Sequence, residues 1–172
     1  MRAATSDLSP QLLQEFFVTF ARFEYALKNS GFVAKGQELQ KRLLHVAKPD
    51  WNKFKRDVSA KFNKDSDPAL SDACDYLLNN APQTQVLWTE NGTLVMGWET
   101  LPRGDENEAG YLLTLVKTVR NNLFHGGKFS DLSFTELTDR NTRLLKSSIL
   151  ILEKYVEIAP SEMRKTFRDA HL

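Results

Sequence analysis

Leu112-Leu113-Thr114-Leu115-Val116-Lys117-Thr118-Val119-Arg120-Asn121-Asn122-Leu123-Phe124-His125-Gly126-Gly127-Lys128 is the stretch on which the architecture turns. Leu112, Leu115, Val116, Val119 and Leu123 recur at helical spacing, so a helix is expected from about Glu106 to Phe124, ended by Gly126-Gly127. A helix with so apolar a face belongs in a core and needs partners with matching stripes. Downstream, Leu137, Leu144, Ser148, Ile151 and Tyr155 mark a second long helix from about Thr135 to Ile158. Pro160 stops it before a polar, partly helical tail at about 160–172.

Upstream, Ser9 can cap a first helix with Pro10 at its first position and Gly31 past its end. Its stripe is Leu12, Phe16, Phe20, Phe23 and Leu27. Leu39, Leu43 and Val46 suggest a second helix from about Gln37 to Ala47, stopped by Pro49. Asp50 then caps a third helix carrying Trp51, Phe54, Val58 and Phe62, and Asp67-Pro68 opens a fourth with Leu70, Cys74, Leu77 and Leu78. Between the fourth helix and Glu106 the period changes. Gln85 to Trp88 and Leu94 to Trp98 flank Glu90-Asn91-Gly92-Thr93, a strong hairpin signal. The expectation is therefore an all-α fold: an antiparallel bundle of about five to six helices with one small β-hairpin inserted at about 84–98. A single domain is expected over 1–172, since this length suits one hydrophobic core.

With 41% hydrophobic and 26% charged residues the chain falls in the ordinary globular range, and wholesale disorder is not expected. Cys74 is the only cysteine, so no intramolecular disulfide or multi-thiolate metal site can form. Together with the absence of a signal-peptide pattern in Met1 to Pro10, this points to a reducing, cytoplasmic setting. No run of about 18 apolar residues occurs, so no membrane association is expected. His45, His125 and His171 show no ligand spacing, and no phosphate-binding loop is present. No metal and no cofactor is expected.

The net charge of +1 conceals an uneven distribution. From Lys35 to Lys64 nine basic residues face Glu38, Asp50 and Asp57, giving 9 − 3 = +6. From Asp65 to Glu108 nine acidic residues face only Arg103, giving 1 − 9 = −8. Lys41, Arg42, Lys53, Lys55 and Arg56, with Lys128 beyond the long helix, are the candidates for following a phosphate backbone; the plainer reading is a solvated helix face.

One cluster looks chemical: Arg120, Asn121, Asn122 and His125 at the end of an otherwise apolar helix. Residues at i and i+5 lie about 140° apart on an ideal helix. Arg120 and His125 therefore converge only if the helix unwinds at His125, or if two copies of it meet across a two-fold axis. Histidine can move a proton between a ribose 2′-hydroxyl and a leaving 5′-oxygen. Arginine can hold a phosphate and stabilise charge on the phosphorane. Asn121 and Asn122 could orient either group. The structural alternative is a helix C-terminus whose basic residues compensate its dipole. Glu24 interrupts the first helix's stripe and must find a donor, for which a salt bridge is the simple answer.

Arg120-Asn121-x-x-x-His125 resembles the R-polar-x3-H signature of HEPN (higher eukaryote and prokaryote nucleotide-binding) domains, on the late helix where that family carries it. Phe20-Ala21-Arg22-Phe23-Glu24-Tyr25-Ala26-Leu27-Lys28 is similar to the first helix of bacterial HEPN proteins of toxin–antitoxin and phage-defence systems. The resemblance covers the order of the bundle over most of the chain. It implies a metal-independent endoribonuclease leaving 2′,3′-cyclic phosphate and 5′-hydroxyl ends. It also implies a homodimer whose two Arg120–His125 pairs line one site, with Asn121 in the motif and Glu24 and Asn122 in support. A separate antitoxin or regulatory chain would then control it. The alternative is a non-catalytic HEPN module for dimerisation, nucleotide or RNA binding, or scaffolding.

Overall fold

Capping chemistry sets the helix starts. The computed structural model describes residues 8–39, 44–124 and 134–170. Helix α1 (Pro10–Asn29) begins at Ser9, whose hydroxyl accepts the Leu12 amide at 3.4 Å, and buries Leu12, Phe16, Phe20, Phe23, Ala26 and Leu27. Gly31 follows with φ 81, the left-handed conformation that lets the chain leave a helix at little cost. Helix α2 (Trp51–Val58) is capped by the Asp50 carboxylate, which accepts the Lys53 amide at 2.9 Å. Two short 3₁₀ turns lead to α3 (Pro68–Asn79), where Asp67 accepts the Leu70 amide at 3.0 Å. Helices α4 (Glu108–Phe124), α5 (Phe134–Ile158) and α6 (Ser161–Asp169) complete the chain.

The all-α expectation is overturned. Among the described residues the fold is mixed: six α-helices accompany two separate two-stranded antiparallel sheets, β1–β2 and β3–β4. Of the segment expected as a helix over 37–47, residues 37–39 lie in strand β1 (Val33–Leu39) and 44–47 in strand β2 (Leu44–Pro49), and 40–43 lie outside the described residues. Leu39 and Val46, expected inward, are exposed, and Leu43 lies outside the described residues. The physical reason lies beneath the hairpin, where Phe23, Phe32, Trp51 and Phe54 already fill the core. A bulge falls between Lys35 and Glu38. Gly36 is required there, because a Cβ would come within 2.7 Å of the Val46 oxygen. The basic residues Lys35 and Lys48 therefore sit on a ribbon, not on a helix face.

The second hairpin matches its sequence signal. Strands β3 (Gln83–Glu90) and β4 (Thr93–Thr100) pair without a break from Gln83↔Thr100 to Glu90↔Thr93. The turn residues Asn91 (φ 49) and Gly92 (φ 79) both take positive φ, as a type I′ turn demands. Gly97 is fixed by the Trp88 indole lying across it, 2.6 Å from where a Cβ would stand.

Helices α1, α3 and α4 pack on α5, and α6 closes over α1. The core is aromatic. Phe23 stacks on Trp51 at 5.4 Å and meets Phe54 edge-on at 5.4 Å; Phe54 in turn packs on Tyr155 at 5.8 Å. Burying each such ring contributes about 2–3 kcal/mol. Tyr155 satisfies its hydroxyl by donating to the Ala109 oxygen at 2.7 Å. Arg22 clamps the end of α6, donating to the oxygens of Phe167 at 2.7 Å and Arg168 at 3.0 Å. Cys74 is buried on the α3 stripe, and burial pushes its thiol up to about 12, which leaves it protonated and unreactive.

Candidate functional site at the end of helix α4

Helix α4 turns Leu112, Leu115, Val116 and Val119 into the core, which leaves Arg120 half-buried and Asn121 exposed on its last turn. The Arg120 guanidinium lies 5.7 Å from the centre of the Phe20 ring, and its Nη1 donates to Asn121 Oδ1 at 3.2 Å. The ring on α1 and the neighbouring amide thus hold the fork from two sides. Asn122 does something else: its Nδ2 donates to the Gln83 oxygen at 2.8 Å, tying α4 to the start of β3. His125 and Lys128 lie outside the described residues.

Sequence reasoning missed Lys117. It sits one turn before Arg120, with its ammonium 5.3 Å from the Trp51 ring centre. Phe20 and Trp51 are themselves 5.7 Å apart, so two cations on one face of α4 stand over one aromatic floor. Spacing i, i+3 was the available signal, but a single lysine on a helix says little until its neighbours are known. Burial first, then the Lys55 charge, lowers the Lys117 pKa from the usual lysine range; Glu24 and Glu106 pull it back up. Glu24 therefore acts on Lys117 through its charge, which places the expected supporting carboxylate beside the motif helix.

The basic residues of α2 divide. Lys55 Nζ donates to Glu106 Oε1 and to Thr114 Oγ1, each at 2.5 Å, and Thr114 Oγ1 donates to Glu106 Oε2 at 2.9 Å. Burial alone would raise the Glu106 pKa. The hydrogen bonds from Lys55 and Thr114 and the charges of Lys55 and Lys117 outweigh it and hold the carboxyl below its usual value. Lys53 donates to the Gly31 oxygen at 3.1 Å and sits 4.6 Å over the Phe32 ring. Arg56 is exposed and lines a cleft of about 410 Å³ with Asn52, Ser59, Asp105 and Asn107. Lys41 and Arg42 lie outside the described residues.

No helix among the described residues is long and apolar enough to cross a membrane. Nor do three of His, Cys, Asp and Glu gather among them in a way that could hold a metal ion. No family model, curated protein or solved structure matches the chain.

Proposed function

We propose that the chain is a HEPN-type endoribonuclease acting in the cytoplasm as a homodimer, serving as a toxin or phage-defence effector under a separate regulatory chain. The observation that carries this reading is the setting of Arg120: a half-buried guanidinium held by Phe20 and Asn121 on the last turn of α4, five residues before His125. A fork fixed in advance stabilises a phosphorane better than one that must be ordered during the reaction.

In the reaction, a His125 imidazole takes the proton of the ribose 2′-hydroxyl, whose oxygen attacks the adjoining phosphorus. Arg120 compensates the charge on the non-bridging oxygens. The P–O5′ bond breaks, and the 5′-oxygen receives a proton from the second His125 of the dimer. The products are a 2′,3′-cyclic phosphate and a 5′-hydroxyl, and the step needs no oxidant, reductant or metal. Incubating RNA with the protein in EDTA tests it. Cleavage with those end groups, lost in His125→Ala, is the expected result; cleavage that needs added Mg²⁺ or survives His125→Ala overturns it. RNA binding without cleavage would instead favour the non-catalytic module, a reading to which the exposed apolar face of β3–β4 lends weight.

A further inference from the structure

Helix α4 starts at the cleft of about 410 Å³ whose other lining comes from α2 and the turn after it. Asn107 caps this start. Its Oδ1 accepts the Gly110 amide at 2.7 Å, and its main-chain oxygen accepts the Tyr111 amide at 3.0 Å. Asn107 itself lines the cleft, and its Nδ2 makes no hydrogen bond among the described residues. The positive end of a 17-residue helix dipole thus stands at one wall.

The buried wall carries a hydroxyl without a partner. Ser59 lines the cleft, is only 5% exposed, and its Oγ forms no hydrogen bond. The Tyr155 hydroxyl is its polar neighbour, but that group is committed as a donor to the Ala109 oxygen at 2.7 Å. A buried hydroxyl left unsatisfied destabilises the fold, so it calls for an explanation. Gly110 keeps the space beside it clear. A Cβ there would stand 3.8 Å from Ser59 Oγ and 3.2 Å from Asn107 Oδ1. Glycine weakens a helix relative to alanine, and position 110 has no positive φ to require it.

Charge in the lining is only partly matched. Lys55 and Glu106 neutralise each other. Arg56 and Asp105 are exposed, and among the described residues neither belongs to an ion pair. We propose that the cleft is a phosphate site, in which Arg56 holds the anion while Ser59 Oγ and Asn107 Nδ2 donate to it. The start of α4 adds positive potential. Donors stand on three walls, and the three acceptor oxygens of a phosphate can serve them all, whereas the two oxygens of a carboxylate serve fewer. Asp105 opposes the anion and keeps its hold loose. An RNA backbone and a free phosphomonoester present the same group. The site goes beyond the ribonuclease reading and does not need it, since Arg120 lies about 18 Å further along the axis of α4.

Inorganic phosphate is the first probe, added to the full chain at matched ionic strength. The thermal stability of wild type rises with phosphate and levels towards the logarithmic dependence of one bound ligand. The general salting effect of phosphate is shared by all variants and so cancels between them. Arg56→Gln weakens binding at least tenfold, and Asp105→Asn tightens it. Ser59→Ala weakens binding at least fivefold, yet without phosphate it melts no lower than wild type, because it removes an unsatisfied hydroxyl. The second probe is a 2′-O-methyl RNA, which cannot be cleaved. Displacement of bound phosphate by this RNA, read from the phosphorus-31 linewidth, assigns the site to an RNA backbone. Phosphate that stays bound in excess RNA assigns it to a free phosphomonoester. Equal stabilisation of wild type, Arg56→Gln and Ser59→Ala by phosphate would overturn the proposal. A wild type that binds phosphate as described but leaves RNA uncut would sink the ribonuclease reading alone.

Discussion

Asn122 donates its side-chain amide to the main-chain oxygen of Gln83 at 2.8 Å, so the last turn of α4 holds the first residue of β3. Helix α5 grips the same entry from the other side, where Arg140 Nη2 donates to the oxygens of Asn80 at 3.2 Å and Ala81 at 3.4 Å. The two adjacent amides of the motif have therefore separated in role. Asn121 is exposed and serves Arg120; Asn122 is half-buried and serves the backbone. Asn122→Ala leaves a partly buried carbonyl without its donor and is expected to cost about 1–2 kcal/mol. Asn121→Ala should cost under about 0.5 kcal/mol, as for an ordinary surface change. Urea titration of both variants measures the difference, and equal losses would contradict this division.

Glu106 makes folding depend on pH in a defined direction. Its folded-state pKa lies below the unfolded one, so the ionised carboxylate contributes stability above the unfolded value near about 4.3 and loses it as pH falls through the folded value. Glu106→Gln keeps the shape and removes the charge. It is expected to lower stability by about 1 kcal/mol near neutral pH, a figure discounted because the side chain is 35% exposed. The gap should close as pH falls below the folded-state pKa. Denaturant midpoints of both proteins across this range provide the measurement. A gap of constant size at acid pH would mean that the Lys55–Glu106 pair is not its source.

How much of this was legible in sequence depends on whether a segment faces the core. The stripe Leu12, Phe16, Phe20, Phe23 and Leu27 is buried as its spacing requires, and so are Leu70, Cys74 and Leu77 on α3. The caps at Ser9, Asp50 and Asp67 stand where short polar side chains precede apolar runs. The error at 37–47 has the same origin in reverse. Leu39, Leu43 and Val46 do fall at helical spacing, but periodicity reports structure only when one face is covered. Val33, Leu39, Leu44 and Val46 are each between 42% and 50% exposed. Gly36 was the overlooked signal, since a glycine inside a strand often marks a bulge, and the register shifts between Lys35 and Glu38. At the candidate site the sequence pattern singled out Arg120 and Asn121, and the structure sets their side chains in contact at 3.2 Å. The Lys55–Glu106–Thr114 cluster was not legible, because 51 residues separate Lys55 from Glu106 and only the tertiary fold joins them.

Under the proposed function, that cluster also decides which basic residues of α2 are open to an RNA backbone. Lys55 is turned inward, with a side chain only 11% exposed, whereas Arg56 is open to solvent. Arg56→Ala is expected to weaken binding to single-stranded RNA and to reduce the slope of log K against log salt by about 0.7. Lys55→Met should leave that slope within error of wild type and lower the unfolding midpoint instead, because Glu106 is left without its cation. Fluorescence titrations at several salt concentrations distinguish the two. A slope that follows Lys55 and ignores Arg56 would reverse the assignment.

Arg120 offers the finest test of the proposed chemistry, because its two partners make separate demands on the side chain. The ring of Phe20 needs a cation, which lysine supplies; Asn121 Oδ1 and a phosphate together need a planar fork with several donors, which lysine lacks. Arg120→Lys should therefore keep most of the folding stability, with a loss of no more than about 1 kcal/mol from the weaker ring contact. Cleavage should nonetheless fall by about 10²-fold, the usual consequence of removing one charge-stabilising group from a transition state. Arg120→Ala should lose at least as much activity. Single-turnover cleavage of a labelled RNA, read alongside urea denaturation of the same preparations, separates the two effects. If Arg120→Lys cleaves like wild type, the site needs only a positive charge and the bidentate role is wrong. If both variants unfold, Arg120 is a structural residue of the α1–α4 contact and the catalytic assignment fails with it.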